Sequence, residues 1–492
     1  MRTSTASVLA ASAAVALLAL PLDAQRRRSA GRTGDKQLVE KFDTDGNGWL
    51  NREERDAARK FLSESQEQGR RRGRRDEEPP VPGPKVAEAD VDKFAGVPLY
   101  DQGTLRTVFI AFENDDWEDE LAAFYHTDVE LPASVRVDGK PYKNVGIQFR
   151  GNSSFWTVSK GRKRSMSVTF DHVDKGQNLD GYRAMTLLNA HADPTFLRSV
   201  LYLDLVKQYL PAPKANYVRV VINGELWGIY INQQRYNKDF LEEAFGTRSG
   251  TRFKSSNRSR RGSLSYLGDD IAEYRKWYEI KSKDTDERWA PLMAVTRVLA
   301  ETPTKSLEEA LAPTFDIDGA LRFLALDIVV QSGDGYWLHG SDYNMYVDPK
   351  GVLHMVHHDT NESFSAHGPR RGAPKTAEVD PFAKIDDENK ALRNKLLAVP
   401  KFRRKYLEYV RDIARDSLDW QVMGPKIEAL RKLIAADVAK GTRKLYATEK
   451  FDTEVFSDGE GELSPETIKG FFKQRRAFLL AHPDIKALDD TR

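Results

Sequence analysis

The chain predicts an α+β fold: a two-lobed domain, its first lobe rich in strands and its second helical, preceded by a small helix–loop–helix. Three observations carry this. Between residues 107 and 233 the apolar runs are short, rich in β-branched and aromatic residues, and bounded by turn residues. From residue 317 onward apolar positions recur with helical spacing. Near the N-terminus one acidic stretch of loop length lies between two segments that can each present an apolar face. At 492 residues the chain exceeds one small core, and its 40% hydrophobic content suffices for a large one. The formal net charge of +2 gives no case for a nucleic-acid partner.

Residues 1–24 read as an export signal. Arg2 supplies the positive start and Val8 to Leu20 the apolar stretch, which is too short to span a bilayer comfortably. No later stretch approaches membrane-spanning length. The sequence therefore predicts a secreted, periplasmic or cell-surface protein. Cysteine is absent, so disulfides and thiolate metal sites are excluded, and a bacterial exported protein is favoured over a eukaryotic one. Residues 25–36 are rich in Arg, Ser and Gly and are expected to be flexible. The arginine runs at 26–28, 70–72 and 258–261 read as solvated charge.

Residues 37–62 read as a helix–loop–helix of the EF-hand kind. Asp43, Asp45 and Asn47 fall at loop positions 1, 3 and 5, and Gly48 at the sharp turn of position 6. Trp49 offers its carbonyl, Asn51 binds directly or through water, and Glu54 closes the loop with two oxygens. This predicts a Ca²⁺ site. EF-hands usually pair, and no second complete loop is present, so the lone hand must meet another molecule or dock on the main domain. Residues 63–92, with RRRGRRDEEPPVPGP, read as a charged, proline-containing linker.

Residues 93–492 form the main domain. Strands are predicted at Thr107–Phe112, Ser134–Val137, Asn144–Arg150, Ser165–Phe170, Ala184–Leu188, Tyr217–Ile222 and Trp227–Gln233. Asp138-Gly139 and Asn223-Gly224 are hairpin turns. One helix, Pro194–Tyr209, interrupts them. Helices follow at Ile317–Gln331, Leu392–Leu397, Lys401–Leu418, Val422–Lys440 and Ser464–His482, with a hairpin over Asn344–Val347 and Leu353–Val356. A sheet-rich half before a helix-rich half implies a cleft between lobes.

The chemistry concentrates in Asp334-Gly-Tyr-Trp-Leu-His-Gly-Ser-Asp-Tyr-Asn344 and in His357-His-Asp-Thr-Asn361. A cation on a nucleotide needs hard oxygen ligands, and a hydroxyl nucleophile needs a carboxylate to accept its proton. Both needs can be met here. Asp334 is also a plain turn former, and His354, His357 and His358 raise the possibility of a zinc hydrolase. On an extended strand His354 and His358 share one face, and His357 and Asp359 the other. No HExxH signature supports zinc.

Several segments together resemble the spore-coat protein H (CotH) kinase family, over roughly Pro98 to His482. They are Arg150-Gly-Asn-Ser-Ser154, Lys163-Arg-Ser-Met-Ser-Val-Thr-Phe170, Arg198 before Pro211-Ala-Pro213, the hairpin Tyr217–Tyr230, and the ordered Asp334, Asn344 and Asp359. The resemblance implies an atypical protein-kinase-like fold that uses ATP with Mg²⁺ or Mn²⁺ to phosphorylate Ser or Thr of exported proteins. By position it implies Asp334 as catalytic base, and Asn344, Asp359 and the Asn361 position as the metal set. Lys163 or Arg164 would reach the phosphates, braced by Arg150. With no GxGxxG loop, Gly151–Ser154 would cover the phosphates. Gln233-Gln234 and Asn361 stand where the family commonly carries acids. The alternative is therefore a catalytically inactive, kinase-like, calcium-dependent surface binding module.

Overall fold

A computed structural model of the chain describes residues 36–66, 80–255, 262–366, 376–456 and 464–489. The export signal, the 25–35 stretch and the arginine runs at 26–28, 70–72 and 258–261 lie outside those residues. Asp138 (φ 51°), Gly139 (φ 80°), Asn223 (φ 48°) and Gly224 (φ 78°) all take left-handed backbone. This is the pairing of two positive φ values that a two-residue hairpin turn demands. The first turn joins the Leu131–Val137 and Lys140–Phe149 strands, and the second the Ala215–Ile222 and Glu225–Gln234 strands, in the barrel that follows.

That barrel consists of β1 (Arg106–Phe112), β2 (Leu131–Val137), β3 (Lys140–Phe149), β4 (Met166–Thr169), β5 (Ala184–Leu188), β6 (Ala215–Ile222) and β7 (Glu225–Gln234), in the order 1-2-3-4-5-7-6. Every neighbouring pair is antiparallel except the closing one, where β1 runs parallel to β6 with Arg106 beside Val218. Val108, Ile110, Val135, Val145, Ile147, Val168, Met185 and Val220 share one interior core. Each such side chain contributes about 1.5–3 kcal/mol by leaving water. β6 is buried along nearly its whole length. Tyr217 and Ala215 on it, with Ile229 and Ile231 on β7, pack in one cluster with Val200, Leu203 and Val206 of the Arg198–Val206 helix. Its outward face is therefore core as well.

The N-terminal helix–loop–helix docks on this barrel. Leu38, Leu50, Ala58 and Leu62 join the same core as Trp117, Leu121 and Phe124. Arg55 donates to Glu120 at 2.8 Å with both side chains buried, and Asp128 accepts from the Leu38 N–H at 2.6 Å. The entering helix is only Val39–Phe42, whereas the exiting one runs Arg52–Gln66. The expected linker is correspondingly shorter. The Arg52–Gln66 helix continues into it, and residues 83–86 lie along the β6–β7 turn, where Leu226 N–H donates to Pro84 and Val86 N–H to Gly224.

The second half adds a small antiparallel sheet, β11 (Leu353–His357), β10 (Tyr343–Val347), β8 (Thr251–Ser255) and β9 (Tyr278–Ile280), in that order. The β10–β11 hairpin was legible; β8 and β9 were not. Around the sheet lie the Asp286–Glu301, Ile317–Val329, Ala391–Ala398, Pro400–Asp412, Trp420–Lys440 and Ile468–Ala481 helices. Their buried faces form one core reaching β6 and β7. The helix expected over Lys401–Leu418 breaks register after Asp412 into a wider π turn, Ile413–Ser417. No described helix is long and apolar enough to cross a membrane.

Candidate active site

The β10–β11 register creates the site. Tyr343, the first residue of β10, pairs with His357, the last residue of β11. Asp342 and His358 are the next residues beyond that pair. Asp342 (φ 55°) and Asp359 (φ 52°) both take left-handed backbone, so each chain turns sharply as it leaves the ladder. Ligand atoms of Asp342, His358 and Asp359 all lie within 4.8 Å of one another. Asp342 is buried, His358 half-buried and Asp359 exposed, so the group opens towards solvent. Because β11 ends at His357, strand alternation does not reach His358 and Asp359, and the predicted facing of the histidines does not hold.

Cations surround this group. Lys254 on β8 pairs with Asn344, two residues into β10 from Asp342. Burial pulls its ammonium pKa down, opposed by the charges of Asp342 and Asp359 and reinforced by Lys281 and Arg150. Arg150 is pulled down to about 10 by burial and by Arg235, with Asp359 opposing, and stays charged at neutral pH. His358 is held well below its ordinary value by burial, then by Lys254, Arg150 and Lys281. Its imidazole is therefore neutral at pH 7. Its Nδ1 is buried without a hydrogen-bond partner.

Asp334 occupies a braced turn before the Tyr336–His339 helix and is 4% exposed. Asp327 of the Ile317–Val329 helix accepts from the Trp337 N–H at 2.5 Å, and Trp337 Nε1 donates to the Ser332 carbonyl at 2.8 Å. A Cβ on Gly335 would meet Asp327 Oδ1 at 2.0 Å, so this close approach requires glycine. Gly333 N–H donates to the Glu362 carbonyl at 2.7 Å, which ties the turn to the segment after Asp359. That segment is latched again by Arg198, which donates to the Ser363 and Phe364 carbonyls at 2.7 and 2.8 Å. Asp193, 3.6 Å from the Arg198 guanidinium, is pushed up to about 6 by burial against the pull of Arg198.

The structure thus brings Asp359 and Arg150 into one field and sets Asn344 on the neighbouring strand, beside Lys254. Lys163 and Arg164 do not join them. Lys163 is 1% exposed, and its Nζ donates to the Ile229 carbonyl at 2.5 Å, near the rings of Phe196 and Tyr230. Burial, with Lys444 adding, lowers it to about 7. Arg164 donates to the Val158 carbonyl at 2.9 Å and lies 3.9 Å from Glu118. Asn361 donates its amide to the His191 carbonyl at 2.8 Å. Gln234 is held between Lys214 N–H and Glu243. Sequence reasoning missed Asp342, Lys254 and His358 as members of one group. The alternation of Thr251-Arg-Phe-Lys-Ser255 was the available signal for the strand that carries Lys254.

The other histidines do not make a zinc site. His357 Nδ1 meets Tyr202 Oη at 2.6 Å, its ring stacks on Phe323, and burial lowers it to about 3. His354 lies between Asp316 and Asp348 at 3.1 and 3.4 Å; burial lowers its pKa, but the two carboxylates outweigh it and raise the value.

In the N-terminal loop, Asp43, Asp45 and Glu54 also bring ligand atoms within 4.8 Å of one another. Gly46 (φ 70°) and Gly48 (φ 86°) take the tight turns. Asp43 accepts from Asn47 N–H and Gly48 N–H, and the Asn47 side chain accepts from Trp49 N–H. Asn51 and Glu54 cap each other reciprocally at 3.2 and 2.9 Å. The Thr44 hydroxyl and surrounding N–H groups lower the Glu54 pKa against the effect of burial. The Trp49 ring packs edge-on to His172, which contacts Glu130 at 3.2 Å.

A divalent cation fits the Asp342 group by its donor set. Two carboxylates and a neutral imidazole with an unpartnered nitrogen converge there beside cations suited to phosphate.

The barrel, the helical half and the cation-flanked carboxylate group define a mixed α+β protein with a candidate metal site at the end of its smaller sheet. Residues 147–479 match the family profile described as CotH kinase protein, and the chain belongs to that family. It is 21% identical over 408 residues to the inner spore coat protein H of Bacillus subtilis (strain 168), covering 80% of this chain and 99% of that protein. It is 23% identical over 363 residues to invasin CotH7 of Rhizopus delemar, covering 69% of this chain and 57% of that protein. With spore coat protein homolog 1 of the same fungus it shares 22% identity over 280 residues, 54% of this chain and 44% of the other. A structure of the Shewanella oneidensis HipA–HipB toxin–antitoxin complex with operator DNA aligns over 63% of this chain and 60% of its own, at 10% identity and a TM-score of 0.27.

Proposed function

We propose that the protein is an exported kinase that transfers the γ-phosphate of ATP to a Ser or Thr hydroxyl of a secreted or surface protein. The observation that carries this is the convergence of Asp342, His358 and Asp359 under Lys254 and Arg150, with the Asp334 turn tied to the same segment. Phosphoryl transfer is chiefly positioning and charge neutralisation, and this arrangement supplies both. Asp342 and Asp359 would hold the metal, with Asn344 two residues on from Asp342 in β10. Bound there, a divalent cation would neutralise phosphate charge during transfer. Lys254 takes the phosphate-binding role expected of Lys163, because Lys254 faces the carboxylates and Lys163 faces the core. Arg150 braces the phosphates from just past the end of β3. Asp334 orients the acceptor hydroxyl and takes its proton. The turn bonded to Asp327 and Glu362 fixes that carboxylate before substrate arrives.

The 43–54 loop binds Ca²⁺ as an EF-hand docked on the barrel. Its three convergent carboxylates and left-handed glycines support this reading. Residues 1–24 are removed on export, and the domain boundaries follow the sequence reading except that the 63–92 linker is shortened at both ends.

The test is incorporation of labelled phosphate from ATP with Mg²⁺ or Mn²⁺, into the protein itself and into exported proteins, comparing wild type with Asp334→Asn and Asp359→Asn. Wild-type incorporation with at least about a hundredfold loss in both variants is expected. Equal incorporation in all three removes the assignment. Nucleotide binding without turnover identifies the catalytically inactive module instead, the reading favoured by Asn361 facing His191.

A further inference from the structure

We infer that His358 is a direct nitrogen ligand of the active-site cation, and that the site therefore prefers first-row transition cations such as Mn²⁺ to Mg²⁺. The inference rests on the phosphoryl-transfer reading and goes beyond it, because it names a ligand and a metal preference.

His358 and Asp342 each lie one residue beyond the closing Tyr343–His357 pair, at the open end of the β10–β11 hairpin. One ring nitrogen lies within 4.8 Å of carboxylate oxygens from both Asp342 and Asp359. Two ligands at about 2.2 Å from one ion stand at most about 4.4 Å apart, so the group needs only a small closure. His358 Nδ1 is buried and has no hydrogen-bond partner. A buried polar nitrogen left this way costs free energy, which coordination or its consequent ring reorientation would recover. His357 also has a buried nitrogen without a partner, its Nε2, but its ring stacks on Phe323 and is not among the three convergent ligands, and His354 is engaged by Asp316 and Asp348.

The position of Asn361 points the same way. Its side chain donates to the His191 carbonyl, so it is turned to the 189–191 segment. Asn361 is not among the convergent ligands, whereas the imidazole of His358, next to Asp359, is. Mg²⁺ seeks oxygen ligands in strict octahedral geometry and gains little from imidazole. Transition cations accept imidazole readily.

The experiment uses Mn²⁺ alone, without nucleotide, on the full chain carrying Glu54→Gln, which weakens the 43–54 loop as a competing site. Electron spin-echo spectroscopy of the bound Mn²⁺ reads coordinated ¹⁴N. Calorimetry gives Mn²⁺ and Mg²⁺ affinities. Nitrogen modulation is expected in this parent and absent when His358→Gln is added. Mn²⁺ affinity then falls at least about tenfold, since even outer-shell partners of ligands cost that much. Mg²⁺ affinity changes less than about threefold. Bound Mn²⁺ without nitrogen modulation in the parent overturns the inference, whether or not the variant folds, and leaves the kinase reading standing. Modulation that survives in a folded His358→Gln variant also overturns it. Failure of both cations to bind, even with ATP present, overturns the inference and the kinase reading together.

Discussion

Replacing Asp327 with asparagine isolates one buried charge behind the catalytic turn. Asp327 is 1% exposed, and burial pushes its carboxyl up to about 7 against the Trp337 N–H and Arg393. In the unfolded chain the same carboxyl titrates near 3.9. Between those values the folded state keeps a proton that the unfolded state has lost. Stability therefore falls as pH rises from about 4 to about 7 and levels off above. At 1.36 kcal/mol per pH unit the whole effect is about 4 kcal/mol, of which about 3 kcal/mol develops between pH 5 and pH 8. Asparagine retains an oxygen to accept the Trp337 N–H and cannot ionise. Urea unfolding followed by tryptophan fluorescence, on both proteins at both pH values, yields the double difference. Asp327→Asn is expected to gain about 3 kcal/mol on wild type between pH 5 and pH 8. A double difference within about 0.5 kcal/mol of zero would show that the wild-type carboxylate ionises there without cost.

Arg198→Ala removes a guanidinium that serves two carbonyls and a buried carboxylate, and a loss of about 3–5 kcal/mol in urea unfolding is expected; Mn²⁺ titration should also weaken as the 359–364 segment loosens, and a change below about 1 kcal/mol contradicts the latch. Lys163→Met removes a buried amine whose pKa is lowered to about 7. The folded state lacks that proton between about 7 and 10.4, so the penalty is complete below pH 7 and fades towards pH 10. The variant should gain more in urea midpoint at pH 6 than at pH 9, with ATP affinity unchanged; a large loss of ATP affinity restores Lys163 to the phosphates. Lys254→Met should lower metal–ATP affinity about 10–100-fold in calorimetry, the worth of one charged hydrogen bond, and an unaltered affinity contradicts its role.

What was legible in the sequence follows the range of the forces involved. Asp138-Gly139 and Asn223-Gly224 announce their hairpins because positive φ is a local demand. Ala184–Leu188 stands out because a buried strand is a short apolar run bounded by turn residues. Asp334 and Asp359 were legible as carboxylates in turns. Asp342, Lys254 and His358 were not legible as a group, because only the pairing of β8, β10 and β11 assembles them, and that register is set by tertiary packing. Lys163 misled for the same reason. A basic run predicts exposure, yet the fold directs this one amine to the Ile229 carbonyl, while Arg162 and Arg164 remain part-buried nearer the surface.

The parallel seam between β1 and β6 has a consequence for biogenesis. Arg106 must wait for Val218 before its strand gains a second neighbour. A nascent chain that has not yet emerged past β6 carries an unzipped wall whose apolar lining, Val108 and Ile110, faces the medium. Closure is thus a late, long-range event, which slows maturation and favours a holding partner during synthesis. A fragment ending ahead of Ala215 inherits the sticky rim permanently, so truncations meant to isolate the first lobe belong beyond Gln234.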